Sequence, residues 1–143
     1  MLSDKVQIIE VADSHTVVND ALRYRAVHSS SGHYTKHHLV YDRGSEVAFL
    51  SLDPRPDLNL LVIYEIFVVP EIRCRGIGTR VLLAAEKLAR DTGFPRVRLI
   101  PRALGYPPGD ERDRETAKLI EWYERHGYRA TADSGFAEWQ KEL

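Results

Sequence analysis

Residues 65–82 read EIFVVPEIRCRGIGTRVL. An apolar stretch runs into Pro70, and three arginines then surround Gly76 and Gly78 before apolar spacing resumes. Proline has no N–H to give a ladder, so the strand stops there. Gly76 and Gly78 let a large group approach the backbone closely and tolerate unusual dihedrals. Behind them Val81, Ala84, Ala85, Leu88 and Ala89 recur at helical spacing until Gly93. A helix opens with N–H groups that lack intrahelical partners and with the positive end of its dipole. Strand, arginine-glycine loop and helix therefore predict an anion site of the phosphate class. Arg73, Arg75 and Arg80 supply forked donors for phosphate oxygens.

Two familiar phosphate loops do not fit. No GxxxxGK[ST] string exists in the chain. A dinucleotide loop needs GxGxxG or GxGxxA directly after the strand. Here Val81 takes the third position, and residues 71–75 separate Pro70 from the first glycine.

Working outward, the apolar run at 60–69 predicts a strand buried on both faces. Residues 5–11 predict a first strand. Asp13 or Ser14 is expected to cap a helix carrying Val17, Val18, Ala21 and Leu22. Residues 28–36 are small and polar and predict a loop or a broken helix. Strands at 38–41 and 46–52 flank Asp42-Arg43-Gly44-Ser45, which has hairpin chemistry. Residues 53–57, DPRPD, predict a turn that no central strand would contain. A helix over 78–92 carries Glu86 and Arg90 as an i,i+4 pair in the favourable order. A strand follows at 95–101, then a loop at 102–113. Asp113 is expected to cap a helix over 115–126. Strands at 128–131 and 136–142 close the chain. The order is β-α-β-β-β-α-β-α-β-β, an α/β (α+β) pattern without internal repeats.

The 143 residues suit one compact domain spanning 1–143. The formal net charge of -1 excludes a global field for nucleic acid, so basic function must be local. Cys74 is the single cysteine, which rules out an internal disulfide and fits a reducing compartment. Residues 1–15 lack the pattern of a signal peptide, and no apolar run is long enough for a bilayer, so a soluble cytoplasmic protein without membrane partners is expected. His33 and His37 are i,i+4 and His38 follows, but Gly32 disfavours a helix there and no cysteine or HExxH accompanies them. No metal site is expected.

The Arg-x-x-Gly-x-Gly string at 73–78, in its strand-proline-loop-helix frame, resembles the acetyl-CoA motif of the GNAT superfamily of N-acetyltransferases. LIEWYERHGYRA at 119–130 is similar to that family's later tyrosine signature. The element order matches as well, so the resemblance spans nearly the whole chain. It implies a mixed, mainly antiparallel central sheet flanked by helices, forming a single N-acetyltransferase domain. The implied reaction moves an acetyl group from acetyl-CoA to a primary amine of a small molecule, peptide or protein. Transfer is direct, in a ternary complex, with coenzyme A as product.

The resemblance places the pyrophosphate on Arg73, Cys74, Arg75, Gly76, Ile77, Gly78 and Thr79. It places the pantetheine arm along the backbone of Ile66, Phe67 and Val68. Tyr123 occupies the general acid's position, where a phenol can protonate the departing sulfur. Glu65, the only charged residue in 60–69, occupies a position from which some members draw a general base. A carboxylate in so apolar a strand needs a partner or a wet cleft. The family's cofactor-contacting asparagine, about seven residues before the tyrosine, is here Thr116. A homodimer is common for the fold.

Two other functions remain open. One is a non-catalytic acyl-CoA-binding sensor domain, which would need the loop but neither Tyr123 nor Glu65. The other is acetylation of aminoacyl-tRNA, which would need a basic patch such as Arg23, Arg25, Lys36 and Arg43. The acceptor itself is not encoded in a motif.

Overall fold

The computed structural model describes residues 6–29, 34–73, 75–131 and 138–143. Seven strands form one sheet in the order β1-β2-β3-β4-β5-β7-β6. They are β1 (Gln7–Glu10), β2 (Lys36–Asp42), β3 (Ser45–Arg55), β4 (Leu60–Val68), β5 (Arg96–Leu99), β6 (Arg129–Ala130) and β7 (Trp139–Glu142). The helices are α1 (Asp20–His28), α2 (Ile77–Asp91) and α3 (Asp110–Arg125). Among the described residues only β4 and β5 pair in parallel. The mainly antiparallel α/β pattern and the element order agree with the sequence reading.

Local chemistry explains most of the boundaries. Arg43 and Gly44 have φ of 53° and 82°. Both lie in the left-handed region that the tightest hairpin turns require. The first helix departs from expectation. A short 3-10 turn, Ser14–Thr16, is capped by Asp13, and α1 begins separately at Asp20 under Asn19. The break is held by Glu46, whose carboxylate accepts from Val18 N (3.0 Å) and Asn19 N (2.6 Å). A long-range partner thus takes the donors that a continuous helix would have used.

β3 also departs from expectation. It runs through Asp53 and Pro54 to Arg55, with Pro54 opposite Leu61. Pairing with β2 ends at Leu52. Beyond that residue β3 has a strand on one side only, where proline is tolerated. The last helix starts at Asp110 with Gly109 as its cap, so Asp113 sits inside the first turn rather than before it. Asp110, Glu111 and Asp113 there oppose the helix dipole favourably. Of the predicted closing strand pair, residues 132–137 lie outside the described residues.

The sheet has two apolar faces. α2 covers one, with Val81, Leu82, Ala85 and Ala89 against Leu50, Leu52, Leu61, Ile63, Val97 and Leu99. α1 covers part of the other, with Leu22 and Ala26 packing on Leu39, Phe49 and Val69.

Glu86 pairs with Lys141 and Tyr128 rather than with Arg90. It is 2 % exposed, on the buried side of α2. Tyr128 donates its hydroxyl to Glu86 Oε2 at 2.9 Å, and Lys141 Nζ lies 3.0 Å from Oε1. This network ties α2 to β7 and to Tyr128, three residues beyond the end of α3. No helix among the described residues is long and apolar enough to cross a membrane.

Removing one member of a buried ion pair strands the other in an apolar surrounding. Lys141→Met is therefore expected to destabilise the fold by about 3 kcal/mol. That corresponds to a melting temperature lower by on the order of 10 °C for a chain of this size. Adding Glu86→Leu should recover a large part of the loss, as thermal denaturation of both variants would show. Burial, and for Tyr128 also the Glu86 charge, push the phenols of Tyr123 and Tyr128 well up. Their neutral forms are thus favoured in the folded state. Their contribution is complete below the free phenol value of about 10 and lost as pH rises beyond it. Denaturation midpoints measured from pH 8 to 11 should fall at the alkaline end.

Candidate active site

The parallel ladder between β4 and β5 consists of Leu61↔Val97, Val62↔Arg98 and Ile63↔Leu99. β5 ends at Leu99, but β4 continues to Val68 with β3 alone as its partner. The two strands part, and a cleft of about 370 Å³ opens beside the second half of β4. Ile66, Phe67 and Val68 form one wall. Arg73 and Gly78 close one end, while Trp122 and Tyr123 of α3 form the opposite wall. Arg102, Ala103, Leu104 and Tyr106 come from the loop after β5.

The start of α2 is built to receive an anion. Its cap is Gly76, with φ 78°, and among the described residues no side chain caps the first turn. A Cβ at Gly76 would meet nothing within 4 Å, so its side is open. At Gly78 a Cβ would lie 3.7 Å from the Trp122 ring, toward the cleft. The first turn of α2 thus begins beside the cleft with free space at Gly76, and the amides of a helix start suit phosphate oxygens. Cys74 lies outside the described residues.

The three arginines have different fates. Arg73 lines the cleft, donates Nε to Val68 O at 3.0 Å and stacks over Phe67 at 4.8 Å. Arg75 is exposed at the loop. Arg80 is engaged elsewhere, contrary to expectation. It makes a two-pronged contact with Asp42, at 2.9 and 3.1 Å. That bond holds the Asp42 carboxyl below its usual range. One turn into α2, Arg80 joins the helix to the β2–β3 hairpin.

Tyr123 and Glu65 are adjacent to the cleft in different ways. Tyr123 lines it and is 5 % exposed, and its hydroxyl has no hydrogen-bond partner among the described residues. Burial keeps the phenol protonated far into the alkaline range. Glu65 is 4 % exposed and does not line the cleft. β4 has one extra residue, Tyr64, between the pairs Ser51↔Glu65 and Leu52↔Ile63. This bulge sets Glu65 opposite Ser51, on the α1 side of the sheet. The connection back to the cleft is Arg102, whose guanidinium lies 3.9 Å from Glu65 Oε1.

Some residues carried no readable signal. Arg102 and Trp122 are cleft residues only because the β4–β5 divergence and the α3 crossing bring them there. Thr116 Oγ1 accepts from Ala103 N at 3.1 Å, so it braces the loop after β5. His37 and His38 point to opposite faces of β2, opposite Ser51 and Leu50. Burial lowers both imidazoles and leaves them neutral at pH 7. His33 lies outside the described residues. Among the described residues no group of three or more potential ligands could hold a metal ion.

Comparison with known proteins addresses the same architecture. The chain is similar to a GNAT family acetyltransferase from Elizabethkingia anophelis crystallised with acetyl-CoA bound, with a TM-score of 0.68 at 14% identity over 99% of this chain and 100% of that one. It is similar to an IAA acetyltransferase from Bacillus cereus, TM-score 0.66 at 14% identity over 97% and 100%. A PaiA N-acetyltransferase from Thermoplasma acidophilum in complex with coenzyme A gives 0.58 at 17% over 86% and 68%. Identities this low carry the fold alone. No curated protein sequence matches the chain. The model of the acetyltransferase (GNAT) family matches residues 9–128, from β1 past the end of α3 and through every wall of the cleft, and the chain belongs to that family.

Proposed function

We propose that the protein is an acetyl-CoA-dependent N-acetyltransferase acting on a primary amine. The observation that carries this reading is the one cleft that three features share. These are the open edge of β4 on one wall, the start of α2 at one end and the protonated Tyr123 on the opposite wall. Acetyl-CoA, when bound, supplies an activated acyl thioester.

The chain's residues then divide the work. The amides of Gly76, Ile77, Gly78 and Thr79 hold the pyrophosphate, with Arg73 and Arg75 beside them and Cys74 in the same loop. The backbone of Ile66, Phe67 and Val68 continues the broken ladder into the pantetheine arm. Glu65 takes one proton from the acceptor ammonium, since only the neutral amine has a lone pair. As the C–N bond forms and the C–S bond breaks, Tyr123 gives its proton to sulfur. Tyr123 is restored by the second proton that the amine nitrogen gives up. One proton in total leaves with Glu65 for solvent.

The sensor reading needs only the anion loop and leaves Tyr123 unexplained. The aminoacyl-tRNA reading is weakened by the state of its basic patch. Arg23 pairs with Asp20, Lys36 lies 3.9 Å from Glu10, and Arg25 stacks on Tyr24 and Phe67.

Acetyl-CoA and free coenzyme A should both raise the melting temperature, whereas NADH should not. Saturation at a hundredfold the Kd adds about 2.7 kcal/mol. Gly76→Asn, which keeps the left-handed backbone accessible, should retain the shift, and Gly76→Glu should lose it. If no shift occurs at millimolar acetyl-CoA, the cofactor assignment fails. In thiol-release assays Tyr123→Phe should lower kcat by about 10²-fold or more while the KM for acetyl-CoA stays unchanged. Because burial raises the Tyr123 phenol, wild-type kcat should show no loss from that group below about pH 10.

A further inference from the structure

The α1 side of the sheet changes character along its strands. Where α1 packs, it presents Leu39, Phe49 and Val69. One step further it becomes polar. His37, Ser51 and Glu65 are successive register partners across β2, β3 and β4. Directly opposed side chains of this kind stand about 5 Å apart. Asp53 follows on the same face of β3, roughly 7 Å beyond Ser51.

This polar floor is enclosed. Ser51, Asp53 and Glu65 are 0, 2 and 4 % exposed. Ser51 Oγ and Asp53 Oδ1 have no hydrogen-bond partner among the described residues. Buried polar atoms are normally satisfied, and two orphans on neighbouring same-face positions call for a partner.

Charge indicates which partner. Arg55 senses Asp53 but is clamped to Asp57 by bonds of 3.0 and 2.7 Å. Arg98 is taken by Glu138 at 3.4 Å and by Gln140, and Arg102 lies 3.9 Å from Glu65. His37 bonds Ser29 and is neutral. Asp53 makes no ion pair among the described residues. Tyr64, between Asp53 and Glu65 in register, is raised by burial and then by the Asp53 charge. The floor is therefore electronegative, and Asp53 Oδ1 is a buried acceptor that no described residue serves. An ammonium carries three donors and no acceptor.

We propose that the acceptor is a small dicationic amine. Its second ammonium is bound by Asp53 and Ser51, and its reacting nitrogen, a few carbons away, meets Glu65. The proposal rests on the N-acetyltransferase reading and assigns Asp53 as the residue that determines acceptor specificity. It extends the site to β3, which contributes nothing to the cofactor cleft.

The test is calorimetric titration of the coenzyme A-saturated protein with 1,3-diaminopropane and with 1-aminopropane. A charge-assisted contact to Asp53 predicts that wild type binds the diamine about tenfold tighter or better. In Asp53→Asn that preference should largely vanish, with affinity for 1-aminopropane and coenzyme A unchanged. Ser51→Ala should lose part of it. Equal affinity of wild type for the two amines, or a preference that survives Asp53→Asn, overturns the proposal. Should Asp53→Asn fail to fold, the wild-type comparison and Ser51→Ala decide it. Thiol release with the same amines separates the two layers. Selective binding without acetylation would remove the enzymatic reading and leave the subsite. Acetylation of both amines with equal kcat/KM would keep the enzyme and remove the subsite.

Discussion

β4 has two neighbours over its first half and one over its second. From Leu61 to Ile63 it is held by β3 and β5, and from Glu65 to Val68 by β3 alone. A strand in the middle of a sheet normally has both edges satisfied, because peptide groups are obligatory hydrogen-bonding groups. The second half of β4 leaves that requirement to be met from the cleft. The parallel partner also imposes a crossover, and α2 is that crossover. Its first turn consequently lies at the end of β4, where the open strand edge finishes. The anion site and the strand edge are thus two results of one topological choice.

The carboxylates buried in this fold follow two different regimes. Glu86 is surrounded by donors from Tyr128 and Lys141. The cost of its burial is offset within the protein, and the network holds α2 against β7. Asp53 lies on the opposite face and makes no ion pair among the described residues, while Glu65 on the same face has Arg102 3.9 Å away. A fully satisfied network rigidifies a core, whereas an incompletely satisfied one is costly unless something else completes it. The difference separates the structural Glu86 from Asp53.

Much of the fold was legible because it depends on short-range rules. The turn at Arg43-Gly44, the end of β4 at Pro70 and the stripe on α2 each follow from a few neighbouring residues. The misreadings have a common origin in distant contacts. Glu46 breaks the first helix from 27 residues away, counted to Asn19. Pro54 remains in a strand because β2 has already ended. Glu86 looked like half of an i,i+4 pair because the spacing is blind to Lys141, 55 residues on. Within the candidate site the glycine loop and Tyr123 stood out in the sequence, but Arg102, Trp122 and Asp53 did not.

The sequence by itself determined the order of the elements and the kind of ligand the loop before α2 suits. Glycine, proline and apolar periodicity act on the backbone within a turn or two, and the uncapped helix start is a property of that backbone. Only the tertiary structure decided which charges are neutralised, where β4 leaves β5, and that His37, Ser51 and Glu65 form one polar row. Those outcomes depend on strand register and on the bulge at Tyr64, and a register shift of one residue in any of the three strands would turn its member of the row to the other face.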